Sequence, residues 1–237
     1  MRTVPGWSVV TSAAAPVLLI GGWTLAARLQ PGRFDQVSGT ISALAADDAT
    51  HRWVMTSALV GVGVAHVGTA LALRPANPAA RWLLATGGVA TVLVAANPLP
   101  AGGGPAPEHA AAAGVAFLAL GLWPTLSWLR RRGETIPAEA NPTGTNPAGA
   151  SPVETSPAGA SPASPNPAGT TGPAAPIPFR PPVALAASTV LVGALGWFFT
   201  ELLQDTDRVG LSERVAAGSQ ALWPLAAVML ARRTTQR

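Results

Sequence analysis

The chain has 237 residues, of which 49% are apolar and only 11% charged, and it contains no cysteine and no tyrosine. A soluble domain wets its surface with roughly 25% charged residues, so this composition excludes an ordinary water-soluble fold and points to lipid as the solvent. The net charge of +4 comes from arginines set mostly at the ends of apolar runs, which reads as membrane topology and excludes a nucleic-acid-binding face.

In chain order, six apolar runs are long enough to cross a hydrocarbon core of ~30 Å at 1.5 Å per residue. They lie near Trp7 to Ala27, Trp53 to Leu73, Trp82 to Leu99, His109 to Leu129, Val183 to Thr200 and Val215 to Ala231. The first is too long for a secretory h-region and is read as a retained helix. His66 is the one ionisable residue inside these cores. The second run carries Ser57, Gly61, Ala65 and Thr69 at four-residue spacing, a stripe on which another helix approaches closely. Gly21, Gly22, Gly87, Gly88, Gly193 and Gly196 offer similar notches. Trp7, Trp82, Trp128, Trp23 and Trp53 fall near the ends of the runs, where an amphipathic ring prefers the headgroup level. Pro124 and Pro224 sit inside the fourth and sixth runs, and each frees a carbonyl one turn back.

Between the fourth and fifth runs the chemistry changes. Pro147-Ala148-Gly149-Ala150-Ser151-Pro152 returns ten residues later as Pro157-Ala158-Gly159-Ala160-Ser161-Pro162. Prolines remove backbone donors, and the few apolar side chains do not offset the entropy of ordering, so residues 130–182 are expected to form a disordered linker. The expected fold is therefore all-α: a six-helix transmembrane bundle made of helices one to four in residues 1–129 and helices five and six in residues 183–237. Alternate sides of six spans collect ten arginines against five, which places both termini and the linker in the cytoplasm. The Arg-only, Ala-rich composition points to a GC-rich bacterial genome, hence a bacterial inner membrane.

Most of the acids and all the polar candidates gather on the opposite side. His51 flanks the second run, Glu108 and His109 open the fourth, and Glu213 and Arg214 open the sixth. Imidazole and carboxylate together suit zinc, but no pair of ligands shares a helix face at metal-binding spacing, and the bland reading as helix caps and ion pairs carries more weight. No metal and no cofactor is expected. Ser212 reads as an N-cap, with Glu213 complementing the helix dipole and Arg214 pairing with Asp205 or Asp207, or else binding an anionic headgroup. His109 beside Glu108 reads either as an interfacial hydrogen-bonding residue or as a base or proton relay. His66, deep in its run, reads as an uncharged imidazole bonded to a neighbouring helix, with proton-linked transport as the sharper alternative. Neither a Gly-x-Ser-x-Gly elbow nor a phosphate loop occurs.

Three stretches carry a resemblance: Ser38-Gly39-Thr40-Ile41-Ser42-Ala43-Leu44 before the second run, His109 to Phe117 opening the fourth, and Gly210-Leu211-Ser212-Glu213-Arg214-Val215 opening the sixth. Together they resemble the bacterial membrane family known as domain of unknown function 998. The resemblance implies a six-helix membrane domain over everything but the linker, and no activity. Three readings of function stay open. The leading one is a non-enzymatic protein that binds or transports a small molecule or lipid headgroup at an outward-facing polar cavity formed by His51, His66, Glu108, His109, Glu213 and Arg214. The others are a membrane-embedded lipid hydrolase using His51, His109 and the outer acids, and an accessory subunit whose tether recruits a cytoplasmic partner. The lipid bilayer is the expected partner, and the oligomeric state is left open.

Overall fold

A computed structural model describes residues 3–129 and 175–235. The described residues are helical, with six long elements: α1 (Ser8–Arg28), α2 (Trp53–Ala72), α3 (Pro78–Ala96), α4 (Pro107–Ser127), α5 (Pro181–Leu203) and α6 (Val209–Thr235). Short 3₁₀ turns at Ser42–Ala45 and Ile177–Phe179 precede α2 and α5. The helices start where local chemistry allows. Asn77 caps α3 by accepting the Ala79 N–H at 2.8 Å, and Pro78, Pro107 and Pro181 occupy the first turns, where a missing N–H costs nothing.

Each helix packs on its sequence neighbours, and α6 closes the ring against α1. The Val4 carbonyl accepts from the Arg232 guanidinium, so the start of α1 and the end of α6 lie at the same end of the bundle. The Ser42–Ala45 turn and the α3–α4 and α5–α6 loops form the other end, called the loop end below.

The protein is a multi-pass membrane protein. α1 to α5 are each long and apolar enough to cross a membrane. The expected sixth span, residues 215–231, is the interior of α6, which is less apolar because Glu213, Arg214, Arg232 and Arg233 flank it and Gln220 sits within it. Val10, Val17, Val64, Val89 and Val190 project outward and exposed, the arrangement that a lipid environment accepts and water penalises.

Close helix contacts follow the small residues, with two departures from expectation. Gly61 and Thr69 of the predicted stripe face α1, through Leu18 and a 3.2 Å hydroxyl contact with Thr11. A second tight crossing is on another face, where Gly63 of α2 meets Gly88 of α3. Gly21, Gly193 and Gly196 have open space where a Cβ would lie, so these notches receive no helix. Trp7, Trp53 and Trp82 are exposed at helix starts as expected, whereas Trp23 is buried.

The expected linker, residues 130–182, falls mainly outside the described residues, and the accessory reading that rests on it falls there too. Its last part is ordered: Phe179 is buried in the core beside Leu73, Leu84 and Trp123, and α5 begins at Pro181, not at Val183. Apolar burial of Phe179 and Pro178 supplies what the proline-rich pattern alone did not predict.

Candidate functional site

The ring holds a narrow cavity of about 70 Å³, well below the roughly 300–1,000 Å³ usual for a drug-sized ligand. Its walls are Leu19 of α1, Leu59 and Val62 of α2, Val94 of α3, Phe117 and Leu120 of α4, and Ala217 and Ala221 of α6, with polar groups at two levels. Ser42 and Glu213 stand at the loop end, and His66, Thr91 and Gln220 lie deeper. Below Leu120 the cluster Leu73, Leu84, Trp123 and Val228 is fully buried and seals the far end.

The loop end is built by long-range contacts. The Leu211 N–H donates to the Val37 carbonyl at 2.9 Å, the Asp47 N–H to the Leu99 carbonyl at 2.9 Å, and the Gly102 N–H to Asp48 at 2.9 Å. Arg214 locks the first loop onto α6: its Nη1 donates to the carbonyls of Gln36, Gly39 and Gly210 at 2.9, 2.7 and 2.8 Å. Its guanidinium also lies 5.9 and 6.0 Å from the ring centroids of Trp23 and Phe34, which explains why Trp23 is in the core and not at the headgroup level. The expected partners Asp205 and Asp207 are not used. Arg208 instead reaches Glu201 at 3.3 Å, and Glu201 also accepts from Trp197 and Thr206. Ser212 is not an N-cap: α6 starts at Val209, and the Ser212 hydroxyl bonds back to the Val209 carbonyl.

Ser42 occupies the centre of the polar end. Its Oγ lies 3.3 Å from Glu213 Oε1 and 3.2 Å from His109 Nε2. Glu213 Oε2 accepts the Ile41 N–H at 2.5 Å, and His109 Nδ1 lies 2.8 Å from the Asn97 carbonyl. A carbonyl only accepts, so Nδ1 carries a proton. The Ser42 hydroxyl has one hydrogen and two candidates for it. Donated to Nε2 of a neutral His109, it leaves Oγ to accept from a protonated Glu213. Donated to an ionised Glu213, it requires a proton on Nε2 and a cationic His109. The two arrangements hold the same number of protons and differ by two transfers, from Glu213 to Ser42 and from Ser42 to His109, which together leave Glu213 negative and His109 positive.

Glu213 lies near the start of α6, before residues 215–231, and burial raises its carboxyl from the ordinary 4.5 to about 7, against the pull of the Ile41 N–H and of Arg214. This favours the arrangement in which Glu213 is neutral. A raised acid pKa means the folded chain holds a proton that the unfolded chain releases. The resulting stability is fully present below about pH 4.5 and is lost as pH rises towards 7, on the order of 3 kcal/mol. The thermal unfolding temperature in detergent should therefore fall as pH rises over that window for the wild type, and Glu213→Gln should flatten the profile.

The remaining predicted residues are placed apart. His51 is exposed in the turn before α2, with a positive φ of 54°. Glu108 is exposed in the first turn of α4. Neither lines the cavity, and no described contact joins His51 to His109, as the hydrolase reading with that pair required. Asp47 and Arg52 pair with each other in solvent at 2.6 Å. Among the described residues there is no group of three or more His, Asp or Glu arranged to hold a metal. Ser42, Asn97 and Gln220 are candidate-site residues that the sequence did not single out.

All three stretches that carried the resemblance meet here: Ser42 from the first, His109 from the second, Glu213 and Arg214 from the third. The model of the family described as "Protein of unknown function (DUF998)" matches residues 13–153, more than half of the chain. The chain belongs to the DUF998 family. No curated protein and no solved structure matches it. The DUF998 match runs from within α1 through α4, hence over Ser42 and His109, and ends before α5, so Glu213 and Arg214 join the site from outside the matched segment.

Proposed function

We propose that this DUF998 protein binds an amphipathic small molecule or lipid inside its helical ring, with an apolar chain in the cavity and a polar head at Ser42, His109 and Glu213. The observation that carries this reading is the lining of the cavity: mostly Leu, Val, Ala and Phe along its length and polar at the loop end. Binding is favoured over passage, because the sealed cluster beneath Leu120 leaves no polar path past His66. One atom deep in the wall, Gln220 Oε1, is a buried acceptor with no hydrogen-bond partner among the described residues, while the Gln220 amide nitrogen donates to the Phe117 carbonyl. A ligand or water that donates a hydrogen bond would satisfy it.

The experiment is to purify the protein in mild detergent and identify retained molecules by native mass spectrometry. The wild type should release an amphiphile. Ala116→Phe and Ala217→Phe, which fill the cavity, should lose it while remaining monodisperse and helical. Equal retention by the filled variants would defeat the reading.

The arginine asymmetry of the sequence supports an inner-membrane orientation with both termini cytoplasmic and the loop end outward. The chain has no cysteine of its own. Asp48→Cys should therefore react with an impermeant maleimide in intact cells, and Arg233→Cys only after permeabilisation; the reverse pattern inverts the topology.

A further inference from the structure

The geometry points to Ser42 as a nucleophile and His109 as its general base, acting on the ester of an acyl lipid; this rests on the binding reading above, because the acyl chain occupies the same cavity. A serine nucleophile needs a base within hydrogen-bond reach and a third group that orients the base. Ser42 Oγ is 3.2 Å from His109 Nε2, and His109 Nδ1 is 2.8 Å from the Asn97 carbonyl at the end of α3. The Asn97 carbonyl keeps the proton on Nδ1 and turns the Nε2 lone pair towards Ser42, the positioning task that a carboxylate performs in other triads. His109 is itself held by burial, with 8% of its surface exposed, whereas Ser42 is only half-buried at the polar end.

The third member supplies the electrostatics. A negative Glu213 3.3 Å from the attacking oxygen would oppose the oxyanion that develops on the substrate, but a neutral carboxyl donates a hydrogen bond instead. Burial of Glu213 at 5% exposure favours the neutral form. Below Ser42 the cavity walls are mostly apolar, the surface an acyl chain would meet.

The reaction balances within these residues and water. Ser42 Oγ forms a bond to the ester carbonyl carbon while its proton passes to His109 Nε2, and the carbonyl oxygen, now negative, accepts from the Glu213 carboxyl. Collapse breaks the bond from that carbon to the alcohol oxygen, which takes the proton from Nε2 and leaves as the free alcohol. The acyl group remains on Ser42 until water attacks, giving its proton to Nε2. Release of the fatty acid returns the proton to Ser42.

The test uses the purified full chain in detergent with a long-chain alkyl fluorophosphonate, which phosphonylates activated serines. Peptide mass spectrometry should find the adduct on Ser42 and not on the neighbouring Ser38 or Thr40. Ser42→Ala should abolish it, and His109→Gln should slow it by about 100-fold or more. Ala116→Phe should slow the long-chain probe more than a methyl fluorophosphonate. An adduct spread over Ser38 and Thr40, or none on the wild type, overturns the inference, as does equal labelling of His109→Gln. Absence of labelling together with amphiphile retention that the filled variants lose would reject the nucleophile and leave the binding reading standing. Loss of retention in the wild type as well would reject both.

Discussion

Gly63→Val is expected to prevent assembly of the ring. A Cβ on Gly63 would lie within 2.6 Å of Val92 Cγ2 and closer still to the Gly88 carbonyl oxygen, and a Cβ on Gly88 would lie 2.6 Å from the Gly63 carbonyl oxygen. The two carbonyl oxygens are backbone atoms of packed helices, and no rotamer change relieves those clashes. Overpacking in a core with some freedom to adjust costs typically 1–3 kcal/mol. Here α2 and α3 must separate, which opens the cavity wall at Val62 and Val94, so the loss should reach or exceed the upper figure. The readout is size-exclusion chromatography and resistance to unfolding by SDS: the valine variant should aggregate or unfold at much lower denaturant. Gly193→Val, where a Cβ meets open space on the outer surface, should behave like the wild type.

Arg214→Leu should have the second largest effect. Removing the guanidinium strands the carbonyls of Gln36, Gly39 and Gly210, and it leaves Glu213 without its adjacent cation. Deleting one partner of a buried charged arrangement costs about 3–5 kcal/mol, because the groups left behind lose compensation for their burial. The first loop should then come away from α6, carrying Ile41 and Ser42 from Glu213. Limited proteolysis should cut between residues 30 and 41 much faster in Arg214→Leu than in the wild type, with the transmembrane helices intact. Arg208→Leu, which alters an exposed arginine at the surface, should leave the loop protected.

The helices were legible because lipid imposes a coarse rule. A backbone in hydrocarbon must satisfy its own hydrogen bonds, so runs of about 20 apolar residues become helices almost regardless of detail. The same coarseness hid the start of α5. Ile177–Phe179 looks like the end of a proline-rich segment, and only burial of Phe179 beneath the bundle shows that it is structural. The roles of Ser212 and Arg214 were misread because capping and ion-pair rules are local, whereas Arg214 spends its hydrogen bonds on carbonyls far away in sequence.

The candidate site was half legible. His109, Glu213 and Arg214 stood out as ionisable residues at helix starts, and all three belong to the loop-end network. Ser42 did not stand out, since a serine in a loop gives no periodic or charge signal. Its place among the three resembling stretches was the one available hint, and the pairing with His109 is a tertiary fact. His51 and Glu108 share the side and chemistry of the site, but both point into solvent. Composition assigns residues to an end of the bundle; whether they face its interior depends on helix rotation and loop path, which a single sequence leaves open.

The interior cavity as a lipid-binding site is tested most directly by photocrosslinking. A diazirine-bearing acyl lipid, added to the protein in nanodiscs and mapped by peptide mass spectrometry, should mark Leu59, Val62, Ala113 and Phe117 as well as the outer surface, and Ala116→Phe should erase the interior marks alone. Adducts confined to outward residues such as Val17, Val64 and Val190 would contradict the account.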